Sequence, residues 1–182
     1  LLDFCIREVL NKTAYRLMVV LDPVELEITN YPEGKNEILT AENNQEDSSY
    51  GTREVSFSKN LFIEREDFKE EFNRKYFRLS IGKEVRLKNG YIIMGDSVEK
   101  DKNGKITKIL CTYDPKSRSG SGTEESLRKV KGTIHWVDKN NHEMIDINLY
   151  DRLFKIESPD ENKEVDFKTY INENSLIKVK NV

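Results

Sequence analysis

The chain has 182 residues, enough for one ordinary domain or two small ones. Lys and Arg total 30 against 33 Asp and Glu, which gives a net charge of −3 and excludes a protein that is basic over its whole surface. No apolar run approaches the roughly 20 residues that a membrane helix needs, and the opening segment carries Asp3, Arg7 and Glu8, which argue against a secretory signal.

Residues 2–12 predict a short helix, because Leu2, Cys5, Ile6 and Val9 recur at helical spacing along one stripe. We expect it to be the tail of a preceding helical domain. The first residue is not Met, so this chain is predicted to be a piece of a longer polypeptide.

The two cysteines, Cys5 and Cys111, lie in apolar stretches without a Cys or His at ligand spacing. Two reduced, buried thiols in a cytoplasmic protein are expected, with one disulfide as the alternative. No metal site is predicted.

Strand-like segments dominate the rest of the chain, and turn signals recur about every ten residues. The predicted strands cover residues 17–21, 24–28, 54–57, 61–63, 84–87, 91–94, 98–100, 106–112, 130–137, 145–149 and 175–179. This spacing favours a mainly β fold, and at this length two small antiparallel barrels are more natural than one large barrel.

Two local patterns interrupt the strands. Residues 66–76 predict a second helix, with Phe68 and Phe72 on one face and acidic residues leading basic ones. The Asn103-Gly104 pair predicts a hairpin turn between two strands.

The histidines give little support for catalysis. His135 lies inside a strand and is predicted to be a packed or capping imidazole, while His142 lies in a polar turn and is expected to be solvated. No nucleophile elbow and no phosphate-cradling glycine loop occurs in the sequence. We therefore predict no catalytic residue in this chain.

A basic island at residues 73–89, NRKYFRLSIGKEVRLKN, stands out on this net-negative chain. Phosphates attract such cations, and the interleaved aromatics can stack on unpaired bases. Strand alternation predicts Arg86 and Lys88 on the outer face, with Val85 and Leu87 inside. The alternative is an ordinary solvated strand face that forms salt bridges with the acidic loops.

Ordered segments of the sequence resemble the C-terminal anticodon-binding region of glutaminyl-tRNA synthetases. The segments that carry this resemblance are residues 16–31, 57–72, 82–89, 91–93, 111–113, 129–137 (KVKGTIHWV) and 149–154 (LYDRLF). They occur in the family's order and at similar spacing over nearly the whole chain, which makes the set specific although each piece is weak.

The resemblance implies two antiparallel β-barrels of the ribosomal-protein-L25-like type, with a short N-terminal helix and one or two further short helices. Residues 1–13 would end the preceding helical domain, 14–65 plus 132–182 would form the proximal barrel, and 66–131 the inserted distal barrel. The parent enzyme would be a class I ligase that uses ATP and Mg²⁺ in a catalytic core absent from this chain. The fragment itself is expected to be a cytoplasmic monomer that binds the glutamine tRNA without a cofactor, a membrane or a catalytic site.

The family's anticodon contacts match individual residues here. The resemblance assigns Arg16 to the middle anticodon base, Arg78 to the third base, and Arg86 and Lys88 to the first base of (C/U)UG. Lys75 stands where bacterial relatives often carry glutamine, so a side chain that only donates replaces one that also accepts. Phosphate contacts are expected from Arg74, Lys83 and Arg118.

Three alternatives remain open at this point. The same barrels occur in archaeal- or eukaryotic-type glutamyl-tRNA synthetases, whose tRNA has cytosine rather than guanine as the third anticodon base. A ribosomal-RNA-binding protein would carry one such barrel, whereas this chain is long enough for two. A β-rich protein-interaction module would have no preference for an anticodon loop.

Overall fold

The computed structural model describes residues 2–71 and 75–182. By internal contacts the chain forms two compact units, which meet in sequence between His142 and Glu143. Helix α1, Leu2–Thr13, opens the first unit where a helix is predicted. Among the described residues, no helix is long and apolar enough to cross a membrane.

The apolar stripe of α1 is exposed, and none of its described residues is buried. Cys5 is consequently exposed, so the prediction of two buried thiols is wrong for this residue. Cys111 is buried as predicted, and its surroundings raise the pKa of its thiol by desolvation. Both cysteines are free.

Short strands make up most of the remaining regular structure. They are β1 (Pro23–Ile28), β2 (Glu37–Glu42), β3 (Thr52–Phe57), β4 (Asn60–Glu64), β5 (Phe68–Lys69), β6 (Leu79–Ser80), β7 (Glu84–Leu87), β8 (Ile92–Lys100), β9 (Ile106–Tyr113), β10 (Thr133–Ile134), β11 (Val137–Asp138), β12 (Ile147–Tyr150) and β13 (Leu176–Val179). A short helix α2, Glu124–Leu127, precedes β10. The chain is therefore mainly β with short helices, as predicted.

The first unit is built on a curled seven-stranded sheet with the order β10-β7-β8-β9-β1-β4-β11. β1 pairs antiparallel with β4, where Leu26 faces Leu61, and parallel with β9, where Leu26 faces Ile109. β10 and β7 are also parallel. The expectation of purely antiparallel pairing is thus wrong for these two pairs and for the separate parallel pair β5–β6. The long connection from β1 to β9 allows a parallel neighbour there.

Alternating burial along the strands produces the core. In β1, Val24, Leu26 and Ile28 are buried and the residues between them are more exposed. Trp136 is fully buried, packs edge-on against Phe57 with ring centroids 5.1 Å apart, and donates from its indole nitrogen to the main chain.

Residues 66–76 do not form the predicted helix where they are described. Arg65–Asp67 is a single 3-10 turn, and Phe68 continues as strand β5, which pairs in parallel with β6. Burial of Phe68 against the sheet in an extended backbone outweighs the local helical pattern, while Phe72 lies outside the described residues. The hairpin at residues 101–105 forms as predicted, although only Gly104 of the Asn-Gly pair has a left-handed backbone among the described residues.

The second unit, Glu143–Val182, contains the antiparallel pair β12–β13, in which Leu149 faces Ile177. Phe154 forms an isolated bridge with Ile171 and its ring lies 6.2 Å from that of Phe167.

The predicted division into proximal and inserted distal barrels stays a prediction. The sheet of the first unit combines β1 and β4 from residues 14–65 with β7, β8 and β9 from residues 66–131. The compact units therefore follow different boundaries from the predicted barrels.

Candidate nucleic-acid interface

Strand β7 and the residue that follows it place two cations, Arg86 and Lys88, on one outer face. Val85 and Leu87 are buried, whereas Arg86 and Lys88 are half-buried, so the predicted alternation is confirmed. β8 and β10 flank β7 on its two edges and fix its backbone on both sides.

Arg16 and Lys88 meet at one shallow depression. The Arg16 backbone N–H donates to the Asn43 carbonyl at 2.8 Å, which ties the segment after α1 to the residues beyond β2. Its guanidinium donates to Gln45 Oε1 at 3.0 Å and lies 3.5 Å from the Glu46 carboxylate. The depression has a solvent-accessible volume of about 10 Å³ and is lined by Arg16, Leu17, Met18, Glu42, Gln45, Arg53, Lys88 and Asn89.

Arg53 and Asn89 are among the members of this depression that sequence reasoning missed. Arg53 donates to the Glu42 carbonyl at 3.1 Å, and burial lowers the pKa of its guanidinium. Asn89 has a φ of 60°, the left-handed turn conformation that asparagine tolerates, directly after Lys88. A basic residue on a strand and an asparagine in a turn gave no distinct pattern in the sequence.

Arg78 lies in a different part of the first unit, just before β6. Its exposed guanidinium forms an ion pair with the carboxylate of Asp67, which is buried. Burial raises the pKa of Asp67, and the charge of Arg78 acts in the opposite direction. The Tyr76 hydroxyl donates to the Glu66 carbonyl at 2.7 Å and joins the same two segments. The sequence pattern predicts Asp67 only as part of a helix start and therefore gives no sign of this ion pair.

A close approach of two backbones holds the segment that carries Arg78. A Cβ atom at Gly132 would collide with the carbonyl oxygen of Phe77, so only glycine leaves room for this segment. Leu79, the residue after Arg78, pairs with Phe68 between β6 and β5. The segment that carries Arg78 is therefore packed closely against the backbone at Gly132.

His135 is exposed, and the prediction of a packed imidazole is wrong. Ile134 pairs with Leu87 in the parallel β10–β7 pair, and the Lys88 N–H donates to the Ile134 carbonyl at 3.0 Å. Because Ile134 and Trp136 are buried, alternation turns His135 outward beside Lys88.

Charged residues that include two predicted site residues, Lys88 and Arg78, act on the His135 imidazole. Desolvation lowers the pKa of its imidazole, and Lys88 and Arg78 act in the same direction, whereas Asp67 opposes them. His135 therefore lies beside Lys88 in the strand register, and the charges of Arg78 and Asp67 also act on it.

Arg86 binds the protein's own backbone. Its two terminal nitrogens donate to Ser117 O at 2.9 Å, Ser119 Oγ at 3.2 Å, Ser126 O at 2.8 Å and Arg128 O at 3.3 Å. Burial lowers the pKa of this guanidinium. The expectation of an exposed side chain is wrong, because the outer face of β7 is covered at this position by the loop at residues 117–128.

The remaining predicted contacts are not gathered at one place. Arg118 is exposed and lines a separate groove of about 480 Å³ with Glu37 and Tyr91. Lys75 and Lys83 are exposed. Arg74 lies outside the described residues.

The site offers cations and amides rather than metal ligands. Among the residues that the structure describes, no group of three His, Cys, Asp or Glu could hold a metal ion. What the arrangement provides is a set of N–H donors at the Arg16–Lys88 depression and, separately, at Arg78; such donors match the carbonyl and phosphate oxygens of a nucleic acid.

Comparison with known proteins gives a consistent result. A family model described as tRNA synthetases class I (E and Q), anti-codon binding domain, matches residues 14–114, and a second model of the same description matches residues 133–182. A glutamine–tRNA ligase of Rhodopirellula baltica is 51% identical over 176 residues, which are 96% of this chain and 29% of that protein. Glutamine–tRNA ligases of Clostridium perfringens and Proteus mirabilis are also 51% identical over 176 residues. These are 97% of this chain, which spans 31% of each of the two ligases.

Proposed function

Because the chain belongs to the family of anticodon-binding domains of class I tRNA synthetases for glutamate and glutamine, we propose that it binds the anticodon loop of a glutamine tRNA. The glutamine assignment follows the names of its relatives, which are glutamine–tRNA ligases.

The observation that best supports this proposal is the shared depression of Arg16 and Lys88. Two cations converge there from distant parts of the sequence, together with the amides of Gln45 and Asn89. Single-stranded loop bases splay out and can be read one at a time by such groups. Arginine presents a planar donor fork that suits base carbonyls, guanine acceptors and phosphates.

In this proposal Arg16 contacts the middle anticodon base, Lys88 the first base and Arg78 the third base. Arg86, assigned to the first base by resemblance, acts by holding the loop beside Lys88. Lys75 contacts the anticodon or its backbone. The proposed phosphate contacts are Arg74, Lys83 and Arg118.

Charging of the tRNA with glutamine is proposed to occur in the remainder of a longer class I ligase, of which this chain matches under a third. ATP and Mg²⁺ would be bound there. We place the protein in the cytoplasm, as a monomer linked to that catalytic core.

Binding of the 182-residue chain to a hairpin RNA with a CUG anticodon loop tests the proposal by fluorescence anisotropy. We expect tighter binding than to the same hairpin with a scrambled loop. Arg78→Ala should weaken binding by about 1–3 kcal/mol and relax discrimination at the third base. Lys102→Ala, which removes one exposed cation from the 101–105 turn, is the charge-matched control.

Three results are decisive. Equal affinity for the scrambled loop would refute anticodon binding and favour a protein-interaction module. A preference for cytosine over guanine at the third base would make the chain a reader of glutamate tRNA. Equal losses for Arg78→Ala and Lys102→Ala would remove Arg78 from the base contacts.

A further inference from the structure

His135 occupies a position that strand geometry fixes. The parallel pair β10–β7 places residue 135 level with Lys88, and two hydrogen bonds hold this register. The Lys88 N–H donates to Ile134 O at 3.0 Å, and the Trp136 indole N–H donates to Lys88 O at 2.9 Å. The backbone beside His135 is therefore rigid, while its own side chain projects outward.

The surroundings of His135 are those of a nucleic-acid contact. Lys88 lines the depression that Arg16 shares, and the charges of Arg78 and Asp67 act on the imidazole. The exposed ring of His135 lies beside Lys88, within reach of an unpaired nucleotide bound there. His142, the second histidine of the chain, instead packs its ring against Phe62 at 5.8 Å.

The chemistry of the ring suits stacking rather than ion pairing. Its lowered pKa keeps the imidazole neutral near neutral pH, so it adds no positive charge beside Lys88. A neutral imidazole is a flat surface, and unpaired bases stack on such side chains. The neighbouring Lys88 can then hold the backbone or a base edge of the same nucleotides.

We propose that His135 is a further RNA-binding residue, whose ring stacks on an unpaired base of the loop held by Lys88 and Arg78. This inference rests on the proposed function, since it requires a single-stranded loop at that surface. It adds a contact to the base that does not depend on charge.

Proton NMR tests the contact directly, because the chain has only two histidines. The imidazole Cε1–H signals of the 182-residue chain are followed during addition of the CUG hairpin, and His142→Gln assigns them. We expect the His135 signal to move upfield through the ring current of a stacked base, with the His142 signal unchanged. A His135 signal that does not move at saturation overturns the inference, whatever the variants do.

Substitutions measure how much the His135 contact contributes to RNA affinity. His135→Ala should bind the hairpin about tenfold more weakly, and His135→Phe, which keeps a flat ring, within about threefold of the parent. The dependence of affinity on salt should be unchanged in His135→Ala, whereas Lys88→Ala should reduce it. His142→Ala is the matched control and should bind like the parent.

The outcomes separate this inference from the proposed function. If the parent chain prefers CUG over a scrambled loop and His135→Ala binds equally well, the stacking contact is wrong and anticodon binding stands. If His135→Phe binds as weakly as His135→Ala, stacking is also wrong. If the parent itself shows no preference, the proposed function fails and the inference fails with it.

Discussion

Replacing Arg86 by alanine should destabilise the first unit, because this side chain links β7 to the loop that covers it. Its two shorter hydrogen bonds, to Ser117 O at 2.9 Å and Ser126 O at 2.8 Å, join points nine residues apart in that loop. The longer bonds to Ser119 Oγ and Arg128 O, at 3.2 and 3.3 Å, extend the same connection. Alanine would leave all four acceptors without this donor.

The magnitude follows from those distances. A hydrogen bond from a charged group contributes about 1.5–3 kcal/mol when well formed, and the half-buried position of Arg86 places each shorter bond at the low end. The two shorter bonds together give about 3 kcal/mol, and we assign little to the longer two. For a unit of this size the melting temperature should fall by roughly 6–12 °C.

Thermal unfolding followed by circular dichroism measures the shift. Amide hydrogen exchange should also accelerate at Ile92, whose N–H donates to the buried Ser117 hydroxyl at 2.8 Å. Arg118→Ala is the control, since this exposed arginine lies in the same loop. A melting temperature for Arg86→Ala within about 1 °C of the parent would refute a structural role for this side chain.

Three other substitutions or conditions test the fold and the site. Trp136→Ala should cost about 3–5 kcal/mol in unfolding free energy, because the indole is fully buried against Phe57; an unchanged denaturant midpoint would contradict this. Gly132→Ala should displace the Phe77 carbonyl, lowering both the melting temperature and RNA affinity; retention of both would show that the segment can shift without consequence. The folded-state pKa of His135 lies below its unfolded value, so unfolding takes up a proton and stability should fall as pH drops through about 6.5. In a urea series, His135→Gln should lose less stability than the parent over that range, and parallel curves would remove His135 as the cause.

Local patterns predicted the elements that are held by local interactions. The helix at α1 and the alternation in β1 and β7 follow from side-chain periodicity alone. Residues 66–71 were mispredicted because a distant partner, Leu79, sets the backbone of Phe68. The parallel pairing of β1 with β9 has no local signal at all.

The residue types of the site could be predicted from the sequence, but the partners that each side chain binds could be predicted less well. Arg16 and Lys88 do meet, but Arg53 joins them from a strand whose sequence gave no reason to select it. Arg86 occupies a position typical of a base contact, yet nearby carbonyls take its donors. Whether a cation faces solvent or a carbonyl depends on how a loop folds over it, which spacing does not encode.

The parallel pairing of β1 and β9 also fixes the order in which this chain can assemble. Ile28 lies opposite Cys111, so one edge of β1 has no neighbour until the chain has been synthesised through β9. β4 can join the other edge earlier, because only the residues up to Glu64 are required. Closing so long a loop slows folding, and a nascent chain must keep that open edge from pairing with another polypeptide while it waits for β9.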